Sequence, residues 1–166
     1  VNTLITNFDL EKPYRSVPSL ASLYSDISKL DDNYWKAIKL KEVSDLIQSC
    51  LALRLQFNIF KETGVVKTSL PTQLLILNPS PIEIKLEKID GAINLEISKK
   101  LIQNQPWESR QNYQIPNEIS TPYWLLKDGD LGNYYVQDES LKGLAETPNP
   151  IKVRFHVIIN NTHIPI

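Results

Sequence analysis

The spacing of apolar residues changes from a helical to a strand-like period near Gly64, and this change constrains the fold more than any other feature. Before that glycine, apolar residues recur every three or four positions, which is typical of amphipathic helices. After it they alternate with polar residues, which is typical of half-buried strands. We therefore predict an α+β chain, with an extended N-terminal segment and helices in residues 1–64 and a β-sheet domain in residues 65–166.

Two helices are predicted in the first region. The first spans about residues 18–30, and its proline at position 18 suits a first helical turn. The second spans residues 33–63, with Asp31 and Asp32 as capping carboxylates before it and Gly64 as the stop. The short connection favours an antiparallel helical hairpin. The main apolar stripe of the second helix comprises Trp35, Val43, Leu46, Ile47, Cys50, Leu53, Phe57 and Phe60.

Short strands separated by turn signals are predicted in the second region. Asp90-Gly91 is a favoured hairpin dipeptide, and a two-residue turn there would place Leu86 opposite Leu95. A final strand is predicted over residues 151–159, where apolar and polar residues alternate. Other strands are predicted near residues 74–77, 82–86, 113–115, 123–126 and 134–136. This regular succession favours a β-sandwich of immunoglobulin-like character.

Neither region is expected to fold alone. Two helices cannot cover every side of the second one, and a region of about 60 residues is near the lower limit for an independent core. We therefore predict that the helical hairpin packs against the β-sandwich through an extensive apolar interface.

The residue types used in catalysis are sparse in this chain. Its two histidines, His156 and His163, have no Cys, Asp or Glu beside them at metal-ligand spacing, and we predict that both face solvent. Cys50 is the single cysteine and falls on an apolar stripe, where a thiol packs as a small hydrophobe. We therefore predict no catalytic residue, no metal and no other cofactor, so that this chain alone is not an enzyme.

Aromatic side chains are the remaining binding candidates. Trp107, Tyr123 and Trp124 lie in the β-rich region, where exposed rings can stack on sugar rings. The alternative is that these rings fill the core of the sandwich or its interface with the helices.

Charge and hydropathy exclude two classes of partner. The formal net charge is -1, and no basic run is present, so nucleic acid is not an expected partner. No apolar stretch approaches the roughly 20 residues that span a bilayer.

Two stretches resemble a known family. Residues 19–53 resemble the helical segment that follows the catalytic domain in long bacterial PIG-L (LmbE-like) deacetylases. The matching positions are Leu23-Tyr24, Leu30-Asp31-Asp32, Tyr34-Trp35-Lys36, Lys39-Leu40, Glu42-Val43 and Leu46-Ile47. The β-sandwich region of the same proteins is similar to Leu77-Asn78-Pro79-Ser80, Ser120 to Leu125, Leu141-Lys142-Gly143 and the strand at 151–159.

The resemblance implies an accessory role. Enzymes of that family hydrolyse N-acetyl groups, typically on glucosamine-type substrates, with zinc held by a His-Pro-Asp-Asp stretch and a later His-x-x-His, and neither motif occurs in this sequence. The implied partner is the catalytic domain of the parent protein, and the implied location is the periplasm or the cell exterior. The chain starts at Val1 without methionine, and we expect it to be a segment of a longer protein. A carbohydrate-binding module and a protein–protein interaction domain are the alternatives.

Overall fold

The computed structural model describes residues 1–31 and 34–166, and within those residues it contains three α-helices and two antiparallel sheets. The helices are α1 (Asn2–Thr6), α2 (Val17–Ser28) and α3 (Tyr34–Leu51), with a 3-10 turn at Pro13–Ser16 before α2. Two residues of the predicted second helix and its cap lie outside the described residues. They are Asp32, a predicted capping carboxylate, and Asn33, the predicted first helical residue. The predicted α+β class is confirmed.

The helix predicted over residues 18–30 is confirmed as α2, within two residues at each end. Its buried side chains include Val17, Leu20 and Tyr24, which share one face because they are spaced at helical intervals. Pro18 lies in the first turn, where its missing N–H forfeits no hydrogen bond. α2 packs against α3, as predicted for a helical hairpin.

The prediction that the second helix continues to residue 63 is wrong, because α3 ends at Leu51. Ala52 has φ of 50°, in the left-handed region, and the chain then continues as strand β1 (Arg54–Ile59). The physical reason is that apolar residues after Leu51 recur with the two-residue period of a strand. Apolar side chains recur there at every second position, at Leu53, Leu55, Phe57 and Ile59.

The apolar stripe predicted for the second helix is buried only in part. Val43, Ile47 and Cys50 are buried on α3, whereas Trp35 and Leu46 are exposed. Trp35 is 64% exposed and Leu46 is 48% exposed, so part of the predicted stripe faces solvent.

Seven strands form the two sheets within the described residues. The first sheet has the order β1-β2-β5, with β2 at Ser69–Leu77 and β5 at Trp107–Gln114. The second has the order β4-β3-β6-β7, with β3 at Ile84–Gly91, β4 at Leu95–Leu101, β6 at Val153–Ile159 and β7 at Thr162–Pro165. β1 precedes residue 64 and pairs with β2 after it, so hydrogen bonds of the first sheet cross the predicted boundary between the regions.

The strand predictions between residues 113 and 136 are mostly wrong. Residues 113 and 114 belong to β5, but residues 123–126 contain a 3-10 turn and residues 134–136 form no strand. In that segment, the backbone N–H of Tyr123 donates a hydrogen bond to Thr147 Oγ1 in a later loop. The final strand is confirmed as β6, which is followed by β7 through a turn at Asn160 and Asn161.

The β3–β4 hairpin is confirmed, but its predicted register is wrong. Leu86 pairs with Lys99 and Ile89 pairs with Leu95, so residues 90–94 lie between the last paired positions of β3 and β4. The strand continues through Gly91, which pairs with Val153 of β6.

One hydrophobic cluster of the described residues joins the helices to both sheets. It includes Ile47 of α3, Leu74 of β2 and Val157 of β6, and each of these side chains is fully buried. Ser44 Oγ of α3 also donates a 3.0 Å hydrogen bond to the carbonyl oxygen of Pro165 in β7. The predicted packing of the helices against the sheets is confirmed.

Candidate functional site

A cluster of two histidines and two carboxylates lies on the second sheet. His156 occupies β6 between Phe155 and Val157, whose side chains enter the core. Strand alternation places the imidazole on the opposite face of the sheet. Although it lies on that outer face, the His156 side chain is only 9% exposed, because neighbouring side chains cover it.

Each ring nitrogen of His156 has a partner. Nε2 lies 2.7 Å from Asp90 Oδ2, and Nδ1 lies 3.0 Å from His163 Nε2. The same His163 nitrogen lies 3.3 Å from Glu87 Oε2. The two imidazole rings are stacked, with centroids 5.0 Å apart and planes inclined by 27°. We call Glu87, Asp90, His156 and His163 the histidine cluster.

These partners define the tautomers of the neutral cluster. An ionised carboxylate only accepts hydrogen bonds, so His156 carries its proton on Nε2 and donates to Asp90. His156 Nδ1 is then an acceptor, and His163 Nε2 must carry the proton that it donates. That proton also faces the Glu87 carboxylate, so each polar atom in the chain of contacts is satisfied.

A β-bulge brings the second carboxylate to the cluster. The register of β3 against β6 shifts between Leu86 and Lys88, where Leu86 pairs with Val157 and Lys88 pairs with His156. The extra residue in β3 is Glu87. Bulges redirect side chains locally, and here the bulge sets a carboxylate beside His163.

The prediction of a solvent-facing side chain is wrong for His156 and confirmed for His163. His156 is buried, and His163 is half-exposed against Glu87. Asp90 is 66 residues away from His156, so local motif spacing cannot reveal the pair. The missed signal was the Asn160-Asn161 turn, since two asparagines with positive φ are typical of tight hairpins and would have placed both histidines on adjacent strands.

The arrangement can hold and share protons. A carboxylate on one nitrogen of an imidazole orients the ring, as in acid–base catalysts, but the second nitrogen of His156 is occupied by His163. Across residues 1–31 and 34–166, no group of three or more His, Cys, Asp or Glu side chains is arranged to hold a metal ion.

The three aromatic candidates occupy different environments. Tyr123 is 8% exposed, and its hydroxyl donates a 2.7 Å hydrogen bond to the carbonyl oxygen of Leu144. The half-buried ring of Trp124 meets it edge to face at 86°. Trp107 lies on β5 and packs partly against the core cluster. The structure therefore brings two of the three rings together, with their planes perpendicular to each other.

The thiol of Cys50 lies in the hydrophobic core. Cys50 is 7% exposed within α3, and burial raises the pKa of its thiol.

No family model, curated protein or solved structure significantly matches this chain. Among the helices of the described segments, none has both the length and the apolar character needed to cross a bilayer.

Proposed function

We propose that this chain is a non-catalytic accessory module that docks onto another protein domain. The observation that carries the proposal is an exposed aromatic pair at the start of α3. Tyr34 is 74% exposed and Trp35 is 64% exposed, and their rings meet edge to face with centroids 5.5 Å apart. Large aromatic rings that a helix holds in solvent are typical of protein-binding surfaces.

The same side of α3 continues this surface. Leu46 is exposed and lies eleven residues after Trp35, which is about three helical turns and returns to the same face. Between them, Lys39 Nζ lies 2.7 Å from Glu42 Oε2 in a solvent-exposed ion pair. Apolar contacts flanking a charged pair suit a docking surface with a defined register.

The partner that we propose is the catalytic domain of a PIG-L-type deacetylase. What supports this partner is the resemblance of residues 19–53 and 120–125 to the accessory region of those proteins. The parent protein would be a zinc-dependent hydrolase of N-acetylated sugars in the periplasm or outside the cell, with the zinc and the catalytic residues supplied by the other domain.

We also infer that the two sheets form a sandwich of immunoglobulin-like character. Strand order supports this inference. The first, second and fifth strands form one sheet, and the third, sixth and seventh strands lie side by side in the other, as in the two sheets of immunoglobulin domains. The fourth strand extends the second sheet at its edge. Such domains commonly serve in recognition, although the fold alone does not define a function.

Glycan binding through Trp107, Tyr123 and Trp124 is the competing proposal. The burial of Tyr123 and the perpendicular planes of Tyr123 and Trp124 do not favour a flat stacking surface for a sugar ring. The exposed pair on α3 therefore carries the stronger argument.

Docking can be tested with a purified PIG-L-type catalytic domain by sedimentation velocity. The unmodified chain is expected to form a complex, and Trp35→Glu is expected to weaken it by about 10- to 30-fold, because buried tryptophans often dominate interface energy. Leu131→Glu is the matched control, since Leu131 is an exposed apolar residue that lies in a loop far along the chain.

The possible outcomes test the role of the aromatic pair and the identity of the partner separately. Equal weakening by Trp35→Glu and Leu131→Glu would refute the role of the aromatic pair. Absence of any complex at 100-fold molar excess of the catalytic domain would refute that domain as partner, and binding of a chitin oligomer instead would favour the glycan proposal.

A further inference from the structure

We propose that the histidine cluster is a proton-sensitive latch that holds strand β7 in place and releases it when both imidazoles are protonated. The inference rests on the contacts of Glu87, Asp90, His156 and His163 and on the position of β7. It is independent of the docking role proposed above.

The facing nitrogens can hold one proton between them but not two. His156 Nδ1 and His163 Nε2 are 3.0 Å apart. An N–H bond is about 1 Å long, so two facing protons would be left about 1 Å from each other, far inside contact distance. The contact survives the neutral state and the singly protonated state, in which one N–H points at one lone pair. Protonation of both rings forces the nitrogens apart.

The surrounding charges do not remove this conflict. On β3, Asp90 and Glu87 favour positive imidazoles, and Lys88 Nζ lies 3.9 Å from Asp90 Oδ2 and opposes them. Arg154 on β6 is the cross-strand neighbour of Asp90, and Glu96 on β4 is the neighbour of Lys88. The carboxylates offset the charge of two protons, but they cannot provide space for two hydrogens between the same nitrogens.

His163 is the ring that can move. His156 is held by the 2.7 Å contact with Asp90 in the middle of the sheet, and its side chain is 9% exposed. His163 is 47% exposed and lies on β7, which has four residues and forms the edge of the sheet. A short edge strand has fewer cross-strand hydrogen bonds to lose than a central strand.

A displacement of β7 would disturb its contacts with the helices. Ile164 of β7 is fully buried in the core, and the Pro165 carbonyl accepts the hydrogen bond from Ser44 of α3. α2 also contacts β7. Release of this strand therefore loosens the contact between the helical layer and the second sheet.

Amide hydrogen exchange followed by NMR tests the latch in the whole chain. When the pH is lowered from 7.5 to 5, exchange at Ile164 is expected to rise at least tenfold after correction for the intrinsic pH dependence. Exchange at Leu74 in the other sheet is expected to change little over the same range.

The matched variant is His163→Gln. Its amide can donate to His156 Nδ1 as the neutral imidazole does, and it cannot become charged. In this variant, the acid-dependent rise in exchange at Ile164 is expected to disappear.

A rise of the same size in His163→Gln, or no rise in the unmodified chain, would overturn the proposal. A second readout needs no variant, because the ring carbons of both histidines can be titrated by NMR in the native protein. Each ring is expected to report both protonation steps. Two independent one-proton curves would contradict the shared site even if His163→Gln failed to fold.

Discussion

At the scale of single residues, burial raises the pKa of some titratable side chains and hydrogen bonding lowers that of another. Tyr24 and Cys50 both lie in the core cluster, and burial raises the pKa of each, because the charged form is poorly solvated there. Asp138 shows the opposite effect in an exposed loop. Its carboxylate accepts hydrogen bonds from the hydroxyl and the backbone N–H of Ser140, and these bonds lower its pKa.

The environment of Cys50 predicts slow thiol chemistry. Because the folded protein favours the protonated thiol, the contribution of this group to stability is complete at neutral pH. It is lost as pH rises above the ordinary thiol range, where the unfolded chain ionises first. Alkylation by iodoacetamide at pH 8 is therefore expected to be at least about tenfold slower in the folded chain than in the unfolded chain.

The matched control places a thiol on the exposed side of the same helix. In Ser49→Cys combined with Cys50→Ala, the thiol occupies an exposed position. Its alkylation rate is expected to be similar in the folded and unfolded chains. Equal rates for the buried and exposed thiols in the folded state would show that Cys50 is not enclosed.

At the scale of elements, Gly91 links three strands of the second sheet. It ends β3 and pairs with Val153 of β6, and the loop that follows leads into β4. Its φ is 109°, and a Cβ atom there would lie 2.4 Å from the carbonyl oxygen of Lys152. The backbone therefore needs glycine both for its conformation and for its close approach to a neighbouring strand.

Gly91→Ala is expected to destabilise the protein by about 2–4 kcal/mol, measured by urea denaturation, because backbone strain and a steric clash add together. Gly132→Ala is the control. Its φ of 84° is also positive, but a Cβ there meets no described atom within 4 Å. A loss of only about 1 kcal/mol is expected for the control. Equal losses would show that the close approach to Lys152 contributes nothing.

The elements that the sequence predicts best are those whose local pattern agrees with their burial. α2 and β6 follow their helical and alternating patterns. The prediction fails at residues 53–59, where apolar spacing suits both a helix and a strand, and pairing with β2 selects the strand. Local sequence patterns do not predict the histidine cluster either, because its members meet through a bulge and through cross-strand neighbours that are far apart in the chain.

At the scale of the whole molecule, the helices and the two sheets share one interior within the described residues. Side chains of α2, α3 and all three central strands, β2, β3 and β6, belong to the same cluster. A hairpin of two helices with one apolar side gains most of its stability from such packing. We therefore expect the helical layer and the sheets to unfold as one cooperative unit.

Replacing Ile47, which is fully buried on α3, tests this coupling. Ile47→Ala is expected to lower the free energy of global unfolding by about 2–5 kcal/mol, because it leaves a cavity in the core. Native-state hydrogen exchange at the amides of Leu74 and Val157 in the sheets should show the same loss. If those sheet amides kept their full protection while the amides of α3 lost theirs, the helices and the sheets would be separate units, and the shared core would not hold the molecule together.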